Sequence, residues 1–256
     1  MTIVACVKVY DGIVLGADSA TQIMGKDLQG NITVLKVYQN AQKLFQLQNL
    51  PVGILTYGIG NIGKKSIETL LRDFDGAHPT DNNSKHTIEK VTKSLFDFLK
   101  NIYDEQFSKI PMEKRPIMGL YVAGYSYDST EGEEWEFLLP RDSKPRKVRE
   151  RDVFGSSWRG ASLPFTRLYF GIDPRITEDL IKSGVDAGKI KQISQKYQSP
   201  VVYDGMPVKD AVEFLKFILR TTIGLISFEI GPPSCSEPIN IAIISPKEGF
   251  NPVENI

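Results

Sequence analysis

Thr2-Ile3-Val4-Ala5-Cys6-Val7-Lys8-Val9-Tyr10-Asp11-Gly12-Ile13-Val14-Leu15-Gly16-Ala17-Asp18-Ser19 holds two β-rich runs around a turn. Ile3–Val9 is rich in β-branched and apolar residues, which suit a pleated, buried surface. Asp11-Gly12 supplies the left-handed backbone that a tight hairpin turn demands. Residues 13–17 return as a second strand, and Asp18-Ser19-Ala20-Thr21 leave it as a polar turn. An antiparallel pair joined in this way brings residue 2 and Asp18 to the same end.

Outward from that hairpin, a loop with Gly25 and Gly30 precedes expected strands near 32–38, 43–47 and 52–57. Residues 60–74 and 86–105 carry helical periodicity; in the second, Ile88, Val91, Leu95, Phe98 and Leu99 recur at three- and four-residue spacing. Strands are expected at 117–125, 135–139 and 147–154, helices at 160–170, 176–197 and 209–226, and a last buried strand at 239–244. Blocks of strands followed by blocks of helices predict an α+β layered fold rather than an alternating βαβ wind. The 256 residues are expected to form one domain, 1–256.

Composition narrows the function. Hydrophobic residues make up 41% and charged residues 24%, as in ordinary globular proteins. Lys+Arg and Asp+Glu are both 31. A zero net charge argues against nucleic acid or an anionic membrane as partner and leaves little repulsion to oppose self-association. Cys6 and Cys235 are too few for a disulfide framework and read as reduced, buried thiols of a cytoplasmic protein. His78 and His86 lie in or beside a polar stretch that reads as an exposed loop running into a helix, which argues against a catalytic role, and no Cys/His cluster has metal-ligand spacing. The expected site therefore uses neither metal nor cofactor. No run approaches the ~18 apolar residues of a membrane span, and the start lacks the basic and apolar pattern of a signal peptide. The basic run Arg141–Arg151, interleaved with acids, reads as a solvated loop and strand face.

The opening segment resembles the start of a proteasome β-subunit: a Thr, a strand, a D-G hairpin, a second strand and an A-D-S turn. Lys43-Leu44-Phe45 and Gly53-Ile54-Leu55-Thr56-Tyr57-Gly58 are similar to the family's next block, Gly119–Tyr125 to its central strand and Ile239–Ala242 to its last. The Met-Thr start and the length are closest to the bacterial proteasome-like proteins of the ancestral β-subunit type. The resemblance implies a four-layer α/β/β/α sandwich, two stacked antiparallel sheets between helix layers, of the N-terminal-nucleophile (Ntn) hydrolase kind. It implies a threonine-type peptide hydrolase working as a ring or stacked homo-oligomer, with peptide or protein substrates and an ATPase as a further partner.

Carried over residue by residue, the resemblance makes Thr2 nucleophile and base, Lys43 its activating cation, Asp18 the partner of Lys43, and Gly58 an oxyanion donor. Ser156, in Gly155-Ser156-Ser157, is the nearest match to a family serine beside the nucleophile. Thr21 and Thr56 are expected to line the substrate pocket. The chemistry holds on its own terms. A hydroxyl needs a base, and an N-terminal Thr carries one in its α-amine, whose ordinary pKa of ~8 lies near working pH. That amine exists only once Met1 is removed.

Two features point elsewhere. The family's D-x-x-S before the last strand has no match in 228–237, which leaves room for a non-catalytic ring or scaffold subunit. Gly58-Ile59-Gly60-Asn61-Ile62-Gly63 is a G-x-G-x-x-G that would bind a dinucleotide if it closed a parallel strand and opened a helix. Its place late in a run of hairpins, with no acidic strand end to follow, argues against that use.

Overall fold

A computed structural model describes residues 2–78, 85–198 and 200–253. Met1 and the middle of the polar stretch, 79–84, lie outside the described residues. The chain runs β1 (Ile3–Val9), β2 (Gly12–Ala17), β3 (Thr21–Lys26), β4 (Ile32–Tyr38), β5 (Leu44–Gln46), β6 (Val52–Gly58), β7 (Asn61–Ile62), β8 (Lys65–Ser66), α1 (Ile67–Ala77) and α2 (Ile88–Gln106). It continues through β9 (Met118–Tyr125), β10 (Gly132–Leu139), β11 (Arg146–Arg149), β12 (Gly155–Gly160), α3 (Leu163–Phe170), α4 (Pro174–Lys182), α5 (Ala187–Tyr197), α6 (Val208–Ser227), β13 (Asn240–Ser245) and β14 (Gly249–Pro252).

Two five-stranded sheets stack, one in the order β12-β1-β2-β13-β14 and the other β11-β10-β9-β6-β5. Every neighbouring pair is antiparallel. β1, β2 and β9 are buried on both faces and read as near-continuous apolar runs, broken in β1 by Lys8, whose buried ammonium donates to the carbonyls of Gly132, Glu150 and Arg151. Val4, Cys6, Leu15, Leu55, Tyr121 and Ala242 pack between the sheets. On the outer face of the first sheet, Ile3, Ala5, Val7 and Val14 meet Leu215, Ile218 and Leu219 of α6. On the outer face of the second, Ile54, Leu120, Val122 and Phe137 meet Leu70 of α1 and Leu95 and Leu99 of α2. Helix, sheet, sheet, helix is the α+β sandwich that the sequence led us to expect.

The differences are local. Residues 21–26, expected as loop, are a strand, because the Asp27 carboxylate gathers Gln29 N–H (2.9 Å) and Asn31 N–H (2.8 Å) into a turn that closes a hairpin with β4. The helix expected at 176–197 breaks at Gly184; Asp173 caps α4 and Asp186 caps α5 by accepting backbone N–H bonds. Residues 61–66 form the small β7–β8 hairpin, so α1 begins at Ile67, behind a Ser66 cap, and not at the glycines. With β6 antiparallel to both its neighbours, Gly58–Gly63 lacks the strand–glycine–helix setting of a dinucleotide fingerprint.

The basic run is also not a plain solvated face. Arg149 spans Glu134 (2.8 and 3.1 Å), which is fully buried on β10; Arg151 pairs with Glu133 (2.7 Å) and Arg146 with Glu136 (2.5 Å). Arg159 of β12 closes on Glu136 from the other sheet (2.7 Å). Removing one member of such a pair strands a buried charge. Arg149→Met is therefore expected to cost about 3–5 kcal/mol in urea denaturation, and Arg149→Met with Glu134→Gln distinctly less than the single variant.

Candidate active site

The site is built where β1 begins. Its first register pair, Ile3 with Gly160, puts Thr2 against the end of β12, where Ala161 N–H donates to Thr2 O at 2.7 Å. A Cβ at Gly160 would sit 1.8 Å from that same oxygen, and the backbone there has φ +85°, so glycine alone fits. Thr2 is itself buried.

Asp18 ends β2 on the neighbouring strand. Its backbone N–H donates to Ile3 O at 3.1 Å. Its Oδ1 accepts from Ile3 N–H (2.9 Å) and from Lys43 Nζ (2.8 Å); its Oδ2 accepts from Ala20 N–H (2.9 Å) and Ser236 N–H (3.4 Å). Both partners of the ion pair are buried. The Lys43 ammonium and the Ile3 amide thus meet on one oxygen, no farther apart than those two bonds laid end to end, and Ile3 is the residue next to Thr2. Burial pushes the Asp18 carboxyl above the usual range, and Lys43 with the backbone amides of Ala20 and Ile3 offsets only part of that rise.

Lys43 is fixed from the second sheet. Thr56 N–H donates to Lys43 O at 2.9 Å, one step past the Leu44–Leu55 register pair, so Thr56 stands opposite Lys43. Strand alternation turns the Gly58 N–H to the same edge as that of Thr56, beyond the end of β5. Gly58 has φ +93°, and a Cβ there would meet Ile117 O at 2.2 Å. Thr21 Oγ1 lies beside Gly60 in the turn that follows, 3.8 Å from where a Cβ would be. Thr2, Asp18, Lys43, Thr56, Gly58 and Thr21 are thereby gathered around one end of the sandwich.

Ser156 does not join them. It pairs with Val7, four residues down the ladder from Gly160 and so roughly 13 Å from the Thr2 end, and its carbonyl accepts from Arg149. The stretch that abuts Thr2 is Gly160-Ala161-Ser162, at the other end of β12. A second unforeseen contributor is Ser234-Cys235-Ser236. Ser236 O accepts from Ser19 N–H at 3.2 Å while its N–H meets Asp18, and the buried hydroxyls of Ser234 and Ser236 make no hydrogen bond among the described residues. These contacts join residues more than 200 positions apart, where no spacing rule reaches. The histidines are occupied elsewhere: His86 Nε2 is 3.0 Å from Tyr125 O, and His78 stacks on Phe74. Among the described residues no metal-binding cluster of His, Cys, Asp or Glu forms, and no helix is long and apolar enough to cross a membrane.

No protein-family model matches the chain, and no curated protein does. Solved structures do. Anbu (ancestral β-subunit) from Yersinia bercovieri is similar with a TM-score of 0.53 at 11% identity, over 99% of this chain and 86% of that one. The helical assembly of the Anbu complex from Pseudomonas aeruginosa gives 0.58 at 12%, over 98% and 84%. An Anbu (Gly-1) mutant from Hyphomicrobium sp. strain MC1 gives 0.52 at 10%, over 99% and 85%. The fold is that of Anbu. At these identities the likeness speaks for the fold and leaves the chemistry to the residues above.

Both cysteines are free and buried. Burial, with Asp18 nearby, raises the Cys235 thiol to about 12, and burial beside Glu134 raises Cys6 well above its ordinary value. The folded protein at pH 8 should take up no Ellman's reagent, and the unfolded protein two equivalents. Gly160→Ala should cost more than about 3 kcal/mol by thermal or urea denaturation, since the new methyl and the Thr2 carbonyl cannot share one place.

Proposed function

We propose that this chain is an N-terminal threonine hydrolase of the proteasome β-subunit kind. It cuts peptide bonds with Thr2 after Met1 is removed, and it works as a self-assembled oligomer. The observation that carries the reading is the Asp18 oxygen shared by Lys43 and the amide of the residue next to Thr2. In the reaction the Thr2 α-amine takes the hydroxyl proton as Oγ attacks the scissile carbonyl. The nearby Lys43 ammonium disfavours the protonated amine and so keeps the base available, while Asp18 holds Lys43 in place. Gly58 N–H donates to the oxyanion, a contact worth about 3 kcal/mol of barrier in comparable sites. Collapse expels the amine of the leaving peptide, which takes the proton and leaves an ester on Thr2; water then attacks that ester and restores the hydroxyl. Thr21 and Thr56 border the substrate. Peptides or unfolded proteins are the substrate class, with an ATPase to feed them and the cytoplasm as the setting that keeps both thiols reduced.

A second reading, a non-catalytic subunit of the same fold, draws on Pro232-Pro233-Ser234-Cys235-Ser236, which brings one amide, Ser236 N–H, to Asp18 and no second carboxylate.

One experiment separates them. The purified chain is treated with an epoxyketone or a β-lactone, and the adduct is located by mass spectrometry. The expected result is a chain lacking Met1 with one adduct on Thr2. Thr2→Ala should abolish the adduct and lower peptide hydrolysis by at least ~10³-fold. A chain that keeps Met1, or a Thr2→Ala variant that cleaves as well as the parent, would sink the hydrolase and favour the scaffold.

A further inference from the structure

The β3–β4 hairpin forms a two-stranded sheet of its own. Its side-chain tie to the body is at the root, where Gln22 Nε2 donates to Pro232 O and Pro233 O, both at 3.2 Å. Strands of six and seven residues make it roughly 20 Å long. Ile23, Met24, Leu28, Ile32, Leu35 and Tyr38 are all exposed on it, Leu28 fully and Ile32 by three quarters. A lone two-stranded ribbon is marginal in water, and an apolar cluster of this size marks a surface made to be covered.

The same chain carries a matching concavity. Phe165, Leu168 and Phe170 of α3, Tyr197 of α5, and Phe214 and Phe217 of α6 line a groove of about 710 Å³ on the outer helix layer. Among its described lining residues none is charged. From Leu28 to Ile32 the hairpin tip carries no charge either, and the exposed Asp27 carboxylate beside it accepts hydrogen bonds from Gln29 and Asn31. Seating residues 28–32 in the groove therefore brings no charged side chain of theirs against its lining. The turn that Asp27 locks also presents the tip in a fixed shape, which lowers the entropy lost on docking.

We infer that the hairpin tip of one copy of this chain seats in the aromatic groove between α3, α5 and α6 of a second copy, and that this contact builds the oligomer. The inference rests on the self-assembly half of the proposed function and not on the chemistry of Thr2. Tip and groove are different patches, so the contact is heterologous: each copy offers one tip and one groove, and repetition gives a ring or an open helix. The occupant is a second copy because the hairpin springs from Thr21 and returns at Tyr38, between Asp18 and Lys43, on the sheets rather than on the helix layer that holds the groove.

The test uses the full chain and two exposed-residue variants: Leu28→Glu with Ile32→Glu at the tip, and Leu168→Glu with Phe217→Glu in the groove. Sedimentation velocity on the parent should show concentration-dependent assembly. Each variant alone should be monomeric at concentrations tenfold above those that assemble the parent, with unchanged circular dichroism. Mixed one to one, they should form a heterodimer and stop there, because one intact tip and one intact groove remain in matching positions. If either variant assembles like the parent, or if the mixture stays monomeric, the tip-and-groove contact is refuted while the proposed function stands. A parent that is monomeric throughout refutes both the contact and the assembly. Absence of a Thr2 adduct in a parent that assembles counts against the chemistry alone.

Discussion

A single buried carboxylate holds this end of the molecule together. Asp18 takes four donors: the amide after Thr2, the amide of Ala20 at the root of the hairpin, the amide of Ser236 ahead of β13, and the ammonium of Lys43 at the start of β5. Those four groups come from both sheets and from segments far apart in the chain. A carboxylate is costly to bury, and it stays in place only because each lone pair it brings finds a proton. The positions of Thr2 and Lys43 are thus set by one set of hydrogen bonds, and neither can drift without uncovering charge. The sandwich supplies what such a cluster needs, a rigid apolar frame on both sides.

Much of this was legible beforehand, for reasons that can be named. The nearness of residue 2 and Asp18 follows from a tight turn that fixes register on both arms; it falls at Tyr10-Asp11, one residue before the Asp11-Gly12 expected from the sequence, and Gly12 already pairs with Val9 as the first residue of β2. The outer helices announce themselves by apolar spacing, β2 and β9 by uninterrupted apolar runs, and β1 by a run that only Lys8 breaks. What escaped notice was set by side chains reaching across gaps. β3 depends on one carboxylate folding a five-residue turn; β12 reads as polar because its Ser, Arg and Gly residues serve the ion pairs and the Thr2 contact. Gly155-Ser156-Ser157 suggested a serine beside the nucleophile by its letters, while the ladder delivers Gly160-Ala161-Ser162 instead. The approach of Ser234–Ser236 to Asp18 leaves no local trace at all.

The interior is divided in a way composition does not reveal. The apolar cluster between the sheets borders an ionic one of Glu134, Glu136, Arg149 and Arg159, with Tyr121 shared by both. Such pairs add little net stability compared with well-packed apolar residues, yet they demand one geometry, and a slipped strand would leave an ion alone. They sit on β10, β11 and β12, the strands with the fewest turn and pattern cues in their sequences.

The carbonyl of Thr2 occupies the space that a side chain at position 160 would need. Any distant cousin whose sequence puts a bulkier residue at that point must have moved the residue that corresponds to Thr2. A lone hydrogen atom on residue 160 can therefore serve as a diagnostic for sorting remote homologues into those whose first strand is entered in this way and those whose entry has been rebuilt.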